Sequence, residues 1–420
     1  MLQQYYIKPQ TIDRIRAHWL GEPIERYVTW LHDRRYGPRN VFRRVPVLLH
    51  FGTYAQSKGA RTWEDLPQHV PGFVESWTHE HSGNCRTERA RKSVANGVRG
   101  PIEQMLRLLL PDFALTGRRR PFPFFDQAPG FAAHLSDERG LRPITIRSYR
   151  QFLRHFQNYL EQIKMNSLRE LSPTVLSAFV TSQSEGWGTS MLGGLCGALR
   201  VFLRYLFREK VIAQGLSQTI EGPREYRLSS IPRSISWSEV ERMLAAVDRR
   251  SSVGKRDYAI LLLLVTYGLR GREVAALTLD DIDWEHERLR VPERKAGHST
   301  AYPLSPIVGE AIVDYLKNGR PQGVDRHIFY RAMAPYNPMT YGAVSTRASY
   351  YLHKIGATVP RPGSHTLRHT CVQRLIDAHF PLKTIGDYVG HGSPDSTAIY
   401  AKVSIENLRE VALGDGEEVL

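Results

Sequence analysis

The segment 258–270, YAILLLLVTYGLR, constrains this chain more than any other. It is apolar nearly all the way round a helix, and a helix without a polar face belongs in the centre of a core. Yet it closes on Gly268-Leu269-Arg270, which brings a guanidinium to the edge of that core. A guanidinium is not buried without a partner. Its fork matches a carboxylate, here Glu273, or a phosphate, and the local sequence leaves both open.

The chain has 420 residues, more than one core usually organises, so two or three domains are expected. The early part reads as helical. IERYVTWLHDRR and VFRRVPVLLHFGTYAQ carry apolar residues at spacings of three and four. Residues 81–100 turn polar and basic, with Arg86, Arg89, Arg91 and Lys92, and a separate apolar run, IEQMLRLLL, follows. TGRRRPFPFFDQAPG, at 116–130, is rich in Pro, Gly and Arg and reads as a linker.

A second helical block runs over roughly 131–222 and echoes the first. YVTWLHDRRYG (27–37) resembles FAAHLSDERGL (131–141), and Leu48, Phe51, Tyr54 and Leu66 recur as Leu153, Phe156, Tyr159 and Leu171, each 105 positions later. The repeat predicts a duplicated module of four or five helices. A further linker, GPREYRLSSIPRSI (222–235), precedes the last block. There SWSEVERMLAAV opens like a capped helix with Ser238 at the cap. ERLRVPERKAGHSTAYPLS (287–305) alternates around a Gly-containing turn and predicts a β-hairpin, after which helices return.

Composition narrows the function. The apolar fraction of 41% and charged fraction of 24% are those of a globular protein. Against 42 Asp+Glu stand 57 Lys+Arg, a net charge of +15, which favours a polyanionic partner and nucleic acid first. No run approaches the ~18 apolar residues of a membrane span, and the first residues lack a signal-peptide core. Cys85, Cys196 and Cys371 fit neither a disulfide framework nor a CxxC site. The expected location is a reducing cytoplasm, with the nucleoid.

Three further stretches carry chemistry. Lys295 falls at the turn of the predicted hairpin, with Arg294 and His298 nearby; it is either solvated or an ammonium that protonates a leaving oxygen. In SHTLRHT, His365 and Arg368 share a helix face, and His365 and His369 have the spacing of a two-histidine metal site. No glutamate follows the first histidine, and Arg368 would set a positive charge beside any cation, so a phosphate suits the cluster better. In YVGHGSPDSTAIYAKV (388–403), His391 lies between glycines and Tyr400 follows nine residues later; a tyrosine is either packing or a nucleophile.

Taken in this order, Arg270 after Gly-Leu, the hairpin Lys295, His365-x-x-Arg368, Gly390-His391 and Tyr400 resemble the tyrosine recombinase (phage integrase) family. LTLDDID, HTLRHT and STAIYAKV resemble its flanking text, and the resemblance covers about residues 235–405. The chain departs from the family at Arg272, where a small polar residue is common, and at His379, where a glycine is common.

The resemblance implies a mainly α fold with a small β-hairpin or sheet in the catalytic domain, forming a multi-domain C-shaped DNA clamp. The expected divisions are an additional helical domain at 1–115, a helical core-binding (SAM-like) domain at 126–222, a linker at 223–236, a catalytic domain at 237–413 and a tail at 414–420. The implied activity is site-specific cleavage and rejoining of duplex DNA for integration, excision or transposition of a mobile element. In that mechanism Tyr400 is the nucleophile, Arg270 and Arg368 stabilise the transition state, and Lys295 protonates the leaving 5′ oxygen. His365 assists proton removal and His391 donates to a phosphate oxygen. No cofactor is implied, neither metal nor ATP. The implied assembly is a homotetramer on two recombination sites that exchanges C-terminal segments. Candidate DNA contacts are Arg118, Arg119 and Arg120 in the linker and Arg147, Arg150 and Arg154 in the second block. The rivals are a type IB topoisomerase-like relaxing enzyme, a catalytically silent DNA-binding architectural protein, and a histidine-based metal hydrolase.

Overall fold

The computed structural model describes residues 1–83, 85, 87–110, 113, 121–224, 234–292, 299–322 and 325–390. The first block comprises helices α1 (Pro9–Ala17), α2 (Gly21–Asp33), α3 (Pro38–Ser57), α4 (Leu66–His81) and α5 (Glu88–Leu109). They enclose one core built on Ile24, Tyr27, Leu48, Phe51, Leu66 and Met105. The polar stretch before IEQMLRLLL does not end before a separate helix. From Glu88 it is the first half of α5, capped by Thr87, whose hydroxyl accepts the Ala90 N–H at 3.2 Å. Val98, Ile102, Met105 and Leu106 bury one stripe of α5, while Arg89, Arg91 and Lys92 stay exposed.

The second block opens with a helical turn, Phe131–Ala133, that widens into a π turn over His134–Glu138. Helices α6 (Pro143–Gln162), α7 (Pro173–Ser184) and α8 (Thr189–Arg208) follow. The end of the expected linker is part of this block. Phe122 and Phe124 are buried in its core, and Phe124 stacks on Phe202 at 5.1 Å. The Pro and Gly content that suggests a linker conceals aromatic side chains that need burial. Helix α8 is long and apolar enough to cross a membrane by length and composition alone, but nine of its residues are buried in this core.

The first two blocks share several local features. Helices α3 and α6 each have 20 residues and open on proline, Pro38 and Pro143. After α3 the Ala60 N–H returns to the Ala55 carbonyl at 3.0 Å; after α6 the Met165 N–H returns to that of Leu160 at 2.9 Å. Phe51 and Tyr54 both pack on Phe73, and Phe156 and Tyr159 both pack on Phe179.

The third block contains α9 (Trp237–Ala245), α10 (Ser252–Thr266), α11 (Gly271–Ala276), α12 (Pro306–Asn318), α13 (Tyr341–Lys354), α14 (Ser364–Asp377) and α15 (Leu382–Val389). The cap of α9 is Ser236, not Ser238. Its hydroxyl accepts the Glu239 N–H at 3.2 Å while the Glu239 carboxylate accepts the Ser236 N–H at 2.8 Å. Both serines have a glutamate three residues on; burial of Ile235 and Val240, which flank the Ser236 box as a staple, selects between them.

Helix α10 is the apolar helix and occupies the centre of this core, with Ile260, Leu261, Leu263 and Leu264 fully buried. Its polar first turn is paired: Lys255 meets Asp314 of α12 at 2.7 Å. Asp257, also fully buried, accepts from Arg256 at 2.8 Å and from Arg347 of α13 at 2.7 Å. The expected hairpin is part of a three-stranded antiparallel sheet in the order β1 (Ile282–Asp283), β2 (Arg288–Val291), β3 (Thr300–Pro303). Val291 pairs with Thr300 on either side of the tip. The first and third blocks cluster as one compact unit and the second as another. Within the former, Arg35 donates to the Gln322 carbonyl at 3.1 Å and Ala334 packs on the first block's core.

Candidate active site

The site begins where α10 stops. The chain reverses at Gly268 (φ 59°), where a Cβ would lie 3.0 Å from Val389 Cγ1 and 3.2 Å from Cys371 Sγ. Left-handed backbone and close packing together admit only glycine there. Leu269 returns to the core, and Arg270 then stands at the N-terminus of α11.

Both local readings of Arg270 start from one fact: its carboxylate partner is real. Glu273 accepts the Arg270 backbone N–H at 2.8 Å and its Nη1 at 2.8 Å, and Nη2 donates to the Gly390 carbonyl at 2.8 Å. The Glu273 side chain is only 5% exposed while that of Arg270 keeps 16%, so the carboxylate holds the guanidinium from behind. Arg272 is exposed, and the bonds that anchor the site belong to Arg270.

Arg368 comes from the second turn of α14 and is 4% exposed. Its Nη1 donates to the Gly268 carbonyl and its Nη2 to the Val389 carbonyl at 2.8 Å. His365 precedes it by three residues on the same helix, with its side chain reaching solvent. The pKa of His365 is held below its ordinary value, first by desolvation and then by the neighbouring Arg368 and Arg270. A neutral imidazole beside two cations accepts a proton at neutral pH and does not compete with them for an anion. The His369 ring is half-buried and centred 6.3 Å from that of His365. Among the described residues no group of three or more His, Cys, Asp or Glu is placed to hold a metal ion.

The structure thus brings together Arg270, His365 and Arg368. Lys295, with Arg294 and His298, lies outside the described residues, as do His391, Tyr400 and the C-terminal segment. Strands β2 and β3 flank the first group, and His391 follows Gly390 in the chain. The carbonyls of Gly268, Val389 and Gly390 carry no side-chain signature in the sequence. Their only mark is the glycines that stand beside Arg270 and His391.

Of the candidate DNA contacts, Arg147 and Arg150 are exposed on α6, and Arg150 lies 5.2 Å over the Phe122 ring. Arg154 shares their stripe but is half-buried, donating to the Pro121 carbonyl at 2.6 Å and to Gln157 at 2.9 Å. It pins the segment entering the second block. Arg118, Arg119, Arg120 and Arg86 lie outside the described residues. Lys92 pairs with Glu88 at 2.6 Å on the surface of α5.

The profile of the phage integrase family matches residues 233–407, and that of the phage integrase N-terminal SAM-like domain matches residues 129–210. A Sinorhizobium fredii protein, y4rA, by name an integrase/recombinase, is 31% identical over 395 residues, 92% of each chain. Tyrosine recombinase XerD of Lacticaseibacillus casei is 28% identical over 280 residues, covering 66% of this chain and 94% of that protein. Among solved structures, the XerH site-specific recombinase in a post-cleavage complex with its palindromic difH substrate aligns with a TM-score of 0.56 at 16% identity. That alignment covers 82% of this chain and 94% of XerH. At such identity the likeness is one of fold.

Proposed function

The chain belongs to the phage integrase family of tyrosine recombinases and is a DNA strand-transferase, and on that premise we propose that it cuts and rejoins duplex DNA at specific sites through a phosphotyrosine linkage. The observation that carries this reading is the convergence of two anchored guanidinium groups and a histidine kept neutral. That set suits a phosphodiester, whose in-line displacement adds negative charge that two fixed cations stabilise.

In this mechanism the Tyr400 hydroxyl attacks the scissile phosphorus. The Tyr–O–P bond forms at the 3′ phosphate as the P–O5′ bond breaks. His365 takes the tyrosine proton, Lys295 gives a proton to the departing 5′ oxygen, and His391 donates to a non-bridging oxygen. The phosphotyrosyl ester conserves the bond energy, and attack by another strand's 5′ hydroxyl reverses the steps to give the joined product. Arg270 and Arg368 serve both directions. Arg147 and Arg150 contact the DNA backbone from the second block, read here as the core-binding domain.

We assign the reaction to movement of a mobile element, in keeping with a relative that carries the name integrase along nearly its whole length. The acting form is a tetramer on two sites. The first block is a duplicate of the second and engages additional DNA, a reading supported by the equal lengths and proline starts of α3 and α6 and by the matching aromatic packing.

The test uses duplexes selected by the protein from a randomised library and nicked just beyond the scissile phosphate, so that the short fragment bearing the new 5′ hydroxyl dissociates on cleavage and the intermediate is trapped. A protein–DNA adduct stable to denaturant is expected for the native chain and absent for Tyr400→Phe. An adduct that persists in Tyr400→Phe sinks the reading. Joining of strands from two separate duplexes distinguishes recombination from topoisomerase-like relaxation.

A further inference from the structure

The last turn of α15 carries more side-chain donors than a helix end ordinarily collects. The helix stops at Gly390, which is left-handed (φ 67°, ψ 54°), and the final carbonyls of any helix lack intrahelical partners. Three consecutive carbonyls here accept from three different elements. Gly390 accepts from Arg270 at 2.8 Å, Val389 accepts from Arg368 at 2.8 Å, and Tyr388 accepts from the hydroxyl of Tyr302 on β3. The helix dipole places partial negative charge at this end, so the two guanidinium groups are held by the same charge that orders them.

We infer that Tyr302 is a positioning residue for the reaction: its hydroxyl fixes the end of α15, and that end in turn aims both catalytic guanidinium groups. This rests on the function proposed above and adds a residue that touches no reacting atom. Tyr302 is suited to the task because it does not move. It is 2% exposed, its strand pairs it with Leu289, and its ring lies between those of Tyr267 (5.1 Å) and Tyr388 (5.0 Å, nearly perpendicular). Tyr267 secures the strand separately, through the Pro303 carbonyl at 3.0 Å and the Ser305 N–H at 2.8 Å. Tyr388 donates its own hydroxyl to the Thr266 carbonyl at 3.0 Å, closing the loop onto the end of α10. The three carbonyls follow one another in a single bonded helix end, where the Gly390 N–H returns to the Asp387 carbonyl at 3.2 Å, so a shift at the Tyr388 carbonyl is passed to the next two carbonyls and to the donors they hold.

The test compares Tyr302→Phe with the native chain on two nicked duplexes. One has an ordinary scissile phosphodiester; the other has a methylphosphonate there, which lacks the negative charge that the arginines meet. Tyr302→Phe keeps the ring stack and removes one donor. Adduct formation on the diester should slow by about tenfold, as small misplacements of catalytic groups do, and on the methylphosphonate by less than about twofold. Tyr267→Phe, which loosens the strand and leaves the helix end bonded, should slow both substrates alike or neither. An equal loss on both substrates for Tyr302→Phe, or the same diester-selective loss for Tyr267→Phe, overturns the inference while the nucleophile assignment stands. A native chain that forms no adduct removes the proposed function and this inference together.

Discussion

At His365, desolvation and two neighbouring guanidinium groups act in one direction, and both disfavour the imidazolium. The neutral form therefore persists to lower pH than for an ordinary histidine, whose reference is 6.5. If neutral His365 takes the tyrosine proton, single-turnover cleavage should keep its rate as pH falls through 6.5 and lose it only below. A pH–rate profile whose acidic limb sits at or above 6.5 would remove His365 from that role. Asp257 makes a different residue-scale prediction. It is fully buried and answers Arg256, itself 5% exposed, and Arg347. Asp257→Ala removes the carboxylate of a buried pair and leaves the Arg256 guanidinium with the Tyr330 carbonyl at 3.0 Å in its place; losing one partner of a buried pair costs about 3–5 kcal/mol. Denaturant unfolding should show that loss, and a change below about 1 kcal/mol would mean the cluster relaxes into water.

Among the elements, the end of α14 explains a departure that the chain displays in sequence. His379 stands at φ 60°, the left-handed position of a helix-terminating motif. The Phe380 N–H returns to the Leu375 carbonyl at 3.1 Å and the His379 N–H to that of Ile376 at 2.7 Å, with Pro381 following. A histidine there meets the Cβ strain that glycine escapes, about 1–2 kcal/mol. Part of the relief is offset by the greater freedom of glycine in the unfolded chain. His379→Gly should therefore raise stability by roughly 0.5–1 kcal/mol, read from the thermal midpoint, with cleavage unchanged. A lower midpoint would show that the imidazole stabilises this turn. Helix α15, which follows, is the element on which the site depends, since its carbonyls order Arg270 and Arg368.

For the whole molecule, the +15 charge has to be felt as salt dependence in DNA binding. Removing one phosphate-binding cation lowers the slope of log affinity against log salt by about one. Replacing both Arg147 and Arg150 with alanine should lower it by about two and weaken binding to all sequences alike, measured by anisotropy across a salt series. An unchanged slope would place the DNA elsewhere on the second block. Arg154→Ala should instead loosen the second block, because it donates to the Pro121 carbonyl that leads Phe122 into the core.

The sequence by itself determined where the cores lie and which side chains are candidates for the chemistry. Helical periodicity marks α3 and an unbroken apolar run marks α10, while the motifs single out Arg270 after Gly-Leu and the pair His365 and Arg368, which covalent geometry puts on one helix face. Periodicity hid the Phe122 and Phe124 anchors inside a Pro/Gly-rich segment and could not choose between Ser236 and Ser238 as a cap. Burial of neighbouring apolar residues made those choices, and burial is a property of the folded chain. The tertiary structure alone decided what holds the site. Arg270 and Arg368 lie 98 positions apart, and both are fixed by backbone carbonyls at the end of α15. Every residue has a carbonyl, so no side-chain pattern announces which ones will accept; only the packing of α10, α14, α15 and β3 brings these to the donors.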